Sequence, residues 1–212
     1  IRHFSVKVLE DMSDQLRARG LTFSDQRLLE NDRNIDVLFR RMATTPKITI
    51  AAINDFAMGG GFEFCLSCDL RIVQDGSHHL GLPEAKLGIL PGGGGTQKLA
   101  RLIGPARALE MVGRGRTVPP REALDLGLVH EVTDGPVLSR ALELAREYAA
   151  IAPLAFAHIK RLIRGEAEKP LEQALTMERT LFLDLLVSDD ASKLMKRMND
   201  GDLDIRDVPQ GD

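Results

Sequence analysis

The chain has 212 residues, of which 43% are hydrophobic and 28% are charged, and its formal net charge is −3. This size and composition are typical of a globular protein with one good-sized core. The slightly acidic balance argues against nucleic acid or an anionic membrane as a partner. No apolar run approaches the roughly 20 residues of a membrane span. The chain opens on IRHFSV, a strand-like run without a methionine, and we therefore expect the native N-terminus to be missing.

A strand–helix pattern occupies the first part of the chain. Residues 13–31 are polar and contain a glycine, which predicts a mobile surface segment. Apolar residues at helical spacing predict a helix over Asn34 to Met42, and KITIAAIN predicts a buried strand. Three glycines, Gly59 to Gly61, then lead into a short helix. The segments DLRIVQD and HHLGLPE are predicted as two further short strands.

Helices dominate the rest of the chain. LPGGGGTQKLARLIG is predicted as a glycine loop that runs into a helix ending at Gly104, and PPREALDLGLVHEV as a short helix and a strand. Prolines open three further predicted helices, over 136–150, over 153–164 and from 170 onward, the last with an apolar stripe. Residues 193–202 are predicted as a frayed, solvated end. These patterns divide the chain into a core region, residues 1–135, and a helical C-terminal region, residues 136–212.

The two cysteines, Cys65 and Cys68, form a C-x-x-C pattern. A redox pair requires a cationic or helix-N-terminal setting that lowers the thiol pKa, whereas Glu63 and Asp69 stand beside these cysteines in the sequence. A metal site would require two more ligands at suitable spacing, and the sequence shows none. We interpret both cysteines as small core residues. The cysteine usage fits a reducing compartment, and we expect a cytoplasmic protein.

One carboxylate, Glu63, lies in an apolar run directly after the glycines, in MGGGFEFCLSCDL. A buried charge costs free energy unless it is paired or functional. At the start of a helix, backbone N–H groups lack intrahelical partners and favour negative charge. Taken alone, the glycines favour a tight turn that packs the helix on the strand. Glu63 lies one turn beyond Gly60, where a carboxylate can handle protons beside an oxyanion hole.

A second carboxylate, Glu84, stands in another apolar setting, between Pro83 and the glycine loop. Two carboxylates at apolar positions can hold one water between them, and their mutual repulsion raises one of the two pKa values. The spacing in sequence leaves open whether Glu63 and Glu84 meet in space.

Three motifs follow one another along the chain: AAINDFAMGGGFEFCLSCDLRIV, LGLPEAKLGILPGGGGTQKLARLIG and GRTVPPREALDLGLVHEV. In this order they resemble the crotonase superfamily, and within it the enoyl-CoA hydratases, from about Asp32 to Ser188. The resemblance implies an α/β fold, a spiral of ββα units with a helical C-terminal trimerisation region, assembled as a homotrimer or hexamer. It implies an acyl-CoA thioester as substrate, with no metal and no redox cofactor. The family's opening strands precede HFS, so we expect the N-terminal strands of the core to be missing.

The resemblance also implies a role for individual residues. The N–H of Gly60 is expected to bind the thioester carbonyl, Glu63 to activate the water, and Glu84 to deliver a proton to the α-carbon. HFSV aligns Val6 with the residue that supplies the second oxyanion N–H, and its neighbour Lys7 is expected to help bind the adenine of coenzyme A. The family sequence G-A-D that normally follows is absent from HFSVKVLEDM.

The activity that the resemblance implies is addition of water across the double bond of an α,β-unsaturated acyl-CoA. A double-bond isomerase on the same scaffold could operate with Glu84 alone, and the presence of both glutamates favours hydration. A non-catalytic binding protein is a further alternative, because the FSV loop departs from the family pattern.

Overall fold

The structure is a computed structural model that describes residues 6–20, 34–165 and 169–204. The described residues fall into two compact units. Residues 6–20, 34–42 and 50–138 belong to the first unit, and residues 43–49 and those from 139 onward belong to the second.

The predicted helices and strands occur in the predicted order, and the described residues contain others that were not predicted, among them the helix Pro105–Gly113. In chain order they are α1 (Val6–Ala18), α2 (Asn34–Thr44), β1 (Ile50–Ile53), β2 (Ala57–Met58), α3 (Gly60–Ser67), β3 (Leu70–Gln74), β4 (Leu80–Gly81), α4 (Gly95–Ile103), α5 (Pro105–Gly113), β5 (Thr117–Val118), α6 (Pro120–Asp125) and β6 (Glu131–Thr133). They continue with α7 (Val137–Ala149), α8 (Pro153–Gly165), α9 (Leu171–Leu186) and α10 (Asp189–Asn199).

Two small sheets organise the first unit. Strands β1, β3 and β6 are parallel and lie in the order β1-β3-β6. In the second sheet β4 is parallel to β2 and antiparallel to β5. In β1-β2-α3, and again in β3-β4-α4, the first strand joins one sheet and the second strand joins the other. This repetition confirms the predicted spiral of ββα units.

The core of the first unit surrounds α3 and the strands beside it. The two parallel strands β1 and β3 are apolar along most of their length, as expected for strands covered on both faces. The largest side chains with almost no exposure to solvent are Phe62, Ile72, Leu80, Leu82, Leu99 and Leu128.

Both cysteines lie in this core, with Cys65 7% and Cys68 3% exposed. Burial raises the pKa of the Cys65 thiol to about 12, and the neighbouring Cys68 contributes to the rise. A thiol with a raised pKa is a poor nucleophile. The interpretation of the pair as small core residues is therefore confirmed.

The structure corrects the predictions at the two ends of the chain. Residues 13–18 were predicted as part of a mobile surface segment, but they belong to α1, and residues 21–31 of that segment lie outside the described residues. Val6 begins this helix, whereas IRHFSV was expected to be a strand. Leu9, Met12 and Leu16 supply the helical apolar spacing in the sequence that the prediction overlooked.

The predicted end is solvated but not frayed, because residues 193–199 are exposed and belong to α10. The helix begins after Ser188, whose side-chain Oγ accepts a hydrogen bond from the N–H of Ala191 at 3.3 Å. This is a serine N-cap, with Asp189 and Asp190 in the first turn and Lys196 and Arg197 in the last. Both charge placements favour a helix.

The second unit is helical. Asp184 of α9 is hydrogen-bonded to His158 of α8, with 2.7 Å between Oδ2 and Nε2. Leu181 is the buried residue of α9, at 7% exposure, whereas Phe182 and Leu183 of the same helix are more than half exposed. None of the helices in the described ranges is both long enough and apolar enough to cross a membrane.

Candidate active site

The site is built where β2 ends and α3 begins. Gly59, the N-cap of α3, has φ 56° and ψ −130°, which only glycine adopts readily. Its N–H donates to the carbonyl of Gly81 at 2.9 Å, which ties the start of α3 to the neighbouring strand β4. Its carbonyl accepts from the N–H groups of Phe62 and Glu63 at 2.8 and 2.9 Å. The position of the Glu63 backbone is thus fixed by the turn at Gly59.

Two backbone donors stand at the start of α3. Gly60 and Gly61 are the first two residues of the helix, and both are buried. Within the described part of the chain, no backbone or side-chain acceptor is paired with either N–H group. The positive end of the helix dipole lies at the same place. An oxygen that carries or develops negative charge would be stabilised there.

Glu63 lies one turn further along α3 and is only 3% exposed. Its Oε1 accepts hydrogen bonds from the N–H of Gly93 at 2.6 Å and from the N–H of Gly95 at 2.7 Å. Gly95 is the first residue of α4, so the carboxylate also faces the positive end of a second helix dipole. Charge-assisted bonds from two amides offset the cost of burying the charge and fix the orientation of the carboxylate.

Glu84 faces the same turn from another element. It begins a 3-10 turn, Glu84–Leu87, that follows β4. Its Oε1 lies 2.7 Å from the point that a Cβ atom on Gly59 would occupy. Its Oε2 is buried, and the described residues provide no hydrogen-bond partner for it. Burial raises the pKa of Glu84, and the charge of Glu63 adds to the rise.

The structure therefore brings three of the predicted residues together. Glu63, Glu84 and Gly60 all surround the turn at Gly59, with both carboxylates close enough to interact. This resolves what the sequence left open for the two glutamates.

Val6 and Lys7 are placed differently from these three residues. Both lie in the first turn of α1, and Lys7 Nζ pairs with Asp11 at 2.9 Å and Glu10 at 3.4 Å on its own helix. None of the contacts among described residues links Lys7 to the two glutamates. The role of Val6 in an oxyanion hole and the role of Lys7 in coenzyme A binding remain predictions.

The chain's similarity to known proteins agrees with this arrangement. A sequence model of the enoyl-CoA hydratase/isomerase family matches residues 9–200. The chain belongs to this family. It is 39% identical over 158 residues to a probable enoyl-CoA hydratase of Bacillus subtilis, an alignment that covers 74% of this chain and 61% of that protein. It is 36% identical over 159 residues to the short-chain-enoyl-CoA hydratase of Clostridium acetobutylicum, covering 74% and 60%.

Solved structures of the family have the same fold. The crystal structure of an enoyl-CoA hydratase from Bacillus anthracis superimposes with a TM-score of 0.76 at 27% identity, covering 99% of this chain and 90% of that one. This confirms the crotonase fold. The chain spans about 60% of the length of the curated relatives given above.

Sequence reasoning missed the residues that hold Glu63 and Glu84 in place. These are Gly59, which makes room for Glu84, the amides of Gly93 and Gly95, which bind Glu63, and Lys98, which contacts the glycine loop. One signal could have found part of this set. A buried carboxylate requires donors, and GGGG before a helix supplies unpaired amides.

Proposed function

We propose that this protein adds water across the double bond of an α,β-unsaturated acyl-CoA thioester. The observation that carries the proposal is the pair of carboxylates around the turn at Gly59. One of them, Glu63, is held by two amides, and the other, Glu84, is half-buried with a raised pKa. Hydration requires one group that takes a proton from water and another that gives a proton to carbon. The two environments fit these two tasks.

The thioester carbonyl is proposed to accept a hydrogen bond from the N–H of Gly60. Negative charge develops on this oxygen as the α-carbon gains electron density during addition. The charge is then stabilised by a donor that needs no reorganisation, at the positive end of α3. Loss of one such donor typically lowers the rate by about 100- to 1,000-fold.

The carboxylates then divide the proton transfers. Glu63 takes a proton from water while the hydroxyl oxygen bonds to the β-carbon, and the electron pair of the double bond moves towards the α-carbon and the carbonyl. Glu84, in its neutral form, gives its proton to the α-carbon. The raised pKa of Glu84 favours this neutral form. One proton must afterwards pass from Glu63 back to Glu84 to restore the starting state.

All of these steps use a backbone amide or a carboxylate of the chain itself. The proposed mechanism therefore calls for no metal and no redox cofactor, and coenzyme A enters only as part of the substrate.

The proposal is tested by the turnover of a panel of 2-enoyl-CoA thioesters of increasing chain length, followed by loss of the absorbance of the conjugated double bond. We expect hydration of at least one member. The same preparation is tested with 3-enoyl-CoA thioesters. Gain of the conjugated absorbance without hydration would assign the isomerase alternative, and binding without turnover of either series would assign the non-catalytic one.

A pair of isosteric substitutions tests the division of labour. Glu63→Gln should lower hydration by on the order of 100- to 10,000-fold, the usual range for a general base, yet keep some exchange of the α-proton. Glu84→Gln should lose both reactions. The control is Glu143→Gln, an exposed glutamate of α7. Wild-type hydration in either test variant would remove that carboxylate from the mechanism, and equal loss of exchange in both would mean that they act as one coupled unit.

A further inference from the structure

Lys98 lies behind the glycine loop that holds Glu63. It is the fourth residue of α4, and its side chain is half-buried. The side chain folds back along the loop, so that its Nζ and Cε lie 3.3 Å from the point that a Cβ atom on Gly94 would occupy. The ammonium group therefore reaches the loop that precedes its own helix.

The ammonium group of Lys98 joins the glycine loop to α3. Its Nζ donates to the carbonyl of Gly93 at 2.9 Å and to the hydroxyl of Ser67 at 2.8 Å. The Ser67 hydroxyl, only 2% exposed with its residue, donates in turn to the backbone carbonyl of Glu63 at 2.8 Å. The ring of Phe39 lies 4.4 Å from Nζ and adds a cation–π contact.

These bonds close a ring around the Glu63 carboxylate. Gly93 receives a hydrogen bond from Lys98 on its carbonyl and gives one from its N–H to Glu63 Oε1. Ser67 anchors Lys98 to the helix that carries Glu63. The cation therefore fixes both the loop that holds the carboxylate and the distance of that loop from α3.

Helix stability does not account for a cation at this place. A positive charge near the N-terminus of a helix is unfavourable with the helix dipole, and the ammonium group of Lys98 folds towards that end of α4. The contacts with Gly93, Ser67 and Phe39 offset this cost. An arrangement that opposes the dipole, yet holds a loop at the site, indicates a positioning role.

We propose that Lys98 is a positioning residue for Glu63, which holds the Gly93 and Gly95 amides in the geometry that orients the water-activating carboxylate. The inference rests on the proposed function for the identity of the reaction. Lys98 does not contact the reacting atoms in this mechanism, and it acts through Glu63 alone and not through Glu84.

The test uses Lys98→Met, which keeps the length of the side chain and removes the ammonium group. Its matched control is Arg101→Met, which removes an exposed cation from the same helix. We expect kcat for hydration to fall by about 100-fold, as for a reacting group displaced by about an ångström, with KM and the α-proton exchange carried by Glu84 largely unchanged. Arg101→Met should leave all three at the wild-type level.

Two further variants separate positioning from general damage. Lys98→Arg should recover part of the lost kcat, because a guanidinium can still donate to Gly93 and Ser67. Lys98→Met added to Glu63→Gln should cause no further loss of hydration, since residues that act as a unit are not additive. Proportional loss of hydration and exchange, or a full second loss in the double variant, would overturn the inference.

Hydrogen–deuterium exchange of the loop gives a readout that does not depend on turnover. In Lys98→Met the amides of a peptide spanning residues 92–97 should exchange faster by about tenfold or more, as expected when local opening becomes easier, and Arg101→Met should leave them unchanged. Unchanged protection in Lys98→Met would overturn the positioning role even if the protein hydrates no enoyl-CoA. Faster loop exchange in Lys98→Met, together with a wild-type protein that hydrates no enoyl-CoA, would instead refute the proposed function alone.

Discussion

Glu84 stands in an environment that opposes its ionisation. Its Oε2 is buried and has no partner among the described residues, and burial together with the charge of Glu63 raises its pKa. Glu63, by contrast, receives two amide hydrogen bonds on one oxygen. Two carboxylates of the same residue type thus have different surroundings at one turn, and such a difference separates an acid from a base.

The raised pKa of Glu84 predicts how stability depends on pH. The folded protein binds the Glu84 proton more tightly than the unfolded chain, so this residue stabilises the fold at low pH, and that stabilisation is lost as pH rises through the raised pKa. Glu84→Gln removes the ionisation. The variant should melt at a higher temperature than the wild type at pH 8, and its advantage should shrink as pH falls towards 4.5, the ordinary pKa of a glutamate.

Thermal unfolding followed by circular dichroism between pH 5 and pH 8 measures this difference. An advantage that is constant with pH would mean that the amide merely packs better than the carboxylate. If the melting temperature of Glu84→Gln relative to the wild type falls as pH rises, the raised pKa of Glu84 would be contradicted.

The proposed role of Gly60 can be tested by substitution with alanine, which has the smallest side chain. Its backbone is not in the positive-φ region and it begins a helix, so Gly60→Ala should fold normally and keep the N–H. The methyl group would crowd the thioester that must lie against this backbone. We expect kcat/KM to fall by on the order of 100-fold for every acyl-CoA tested, because all share the carbonyl. If Gly60→Ala melts normally and turns over at the wild-type rate, Gly60 only forms a tight turn and does not bind the thioester.

At the scale of elements, the start of α4 is a binding element for a carboxylate rather than only a helix end. A Cβ atom on Gly95 would lie 2.9 Å from Glu63 Oε1, from Leu82 Cδ1 and from Pro91 Cβ. These distances are all shorter than ordinary contacts, and side chains from three separate parts of the sequence would have to shift. Glycine is therefore required here by the close approach, although the backbone of Gly95 is not in the positive-φ region.

Gly95→Ala should accordingly destabilise the fold and displace Glu63. Overpacking of this kind typically costs about 1–3 kcal/mol, which lowers Tm by about 2–4 °C per kcal/mol in a chain of this length. Hydratase activity should fall at the same time. The matched control is Gly113→Ala at the end of α5, where nothing lies within 4 Å of the added atom. A Gly95→Ala variant as stable and as active as this control would contradict the geometry.

The elements around the site could largely be predicted from sequence, and the contacts between them could not. KITIAAIN gave a correct strand because its apolar, β-branched residues suit a covered parallel strand. No sequence pattern identifies the amides of Gly93 and Gly95 as donors to Glu63, because every residue except proline has the same N–H. These amides bind Glu63, some 30 residues away in sequence, only because α3 and α4 pack against each other. Lys98 escaped notice for the same reason, since a lysine on a helix usually extends into solvent.

At the scale of the whole molecule, α9 has an apolar surface that its own unit leaves uncovered. Leu171 is 71%, Phe182 58%, Leu183 61% and Val187, just after the helix, 85% exposed. A cluster of exposed apolar side chains of this kind marks an association surface more often than a free one. The family resemblance places trimer contacts in this helical region, and we predict that the protein is a homotrimer or hexamer in solution.

Light scattering coupled to size exclusion at micromolar concentration tests the assembly. Leu183→Lys should shift the mass towards the monomer, because a charge at an apolar interface is left unpaired when the subunits associate. Leu138→Lys is the matched control: this leucine of α7 is 62% exposed, against 61% for Leu183. In a monomer the two substitutions should be equivalent, each within about 0.5 kcal/mol of the wild-type free energy of unfolding. A monomeric wild type would contradict the predicted assembly, and equal effects of the two substitutions on the mass would show that subunits associate through a surface other than α9.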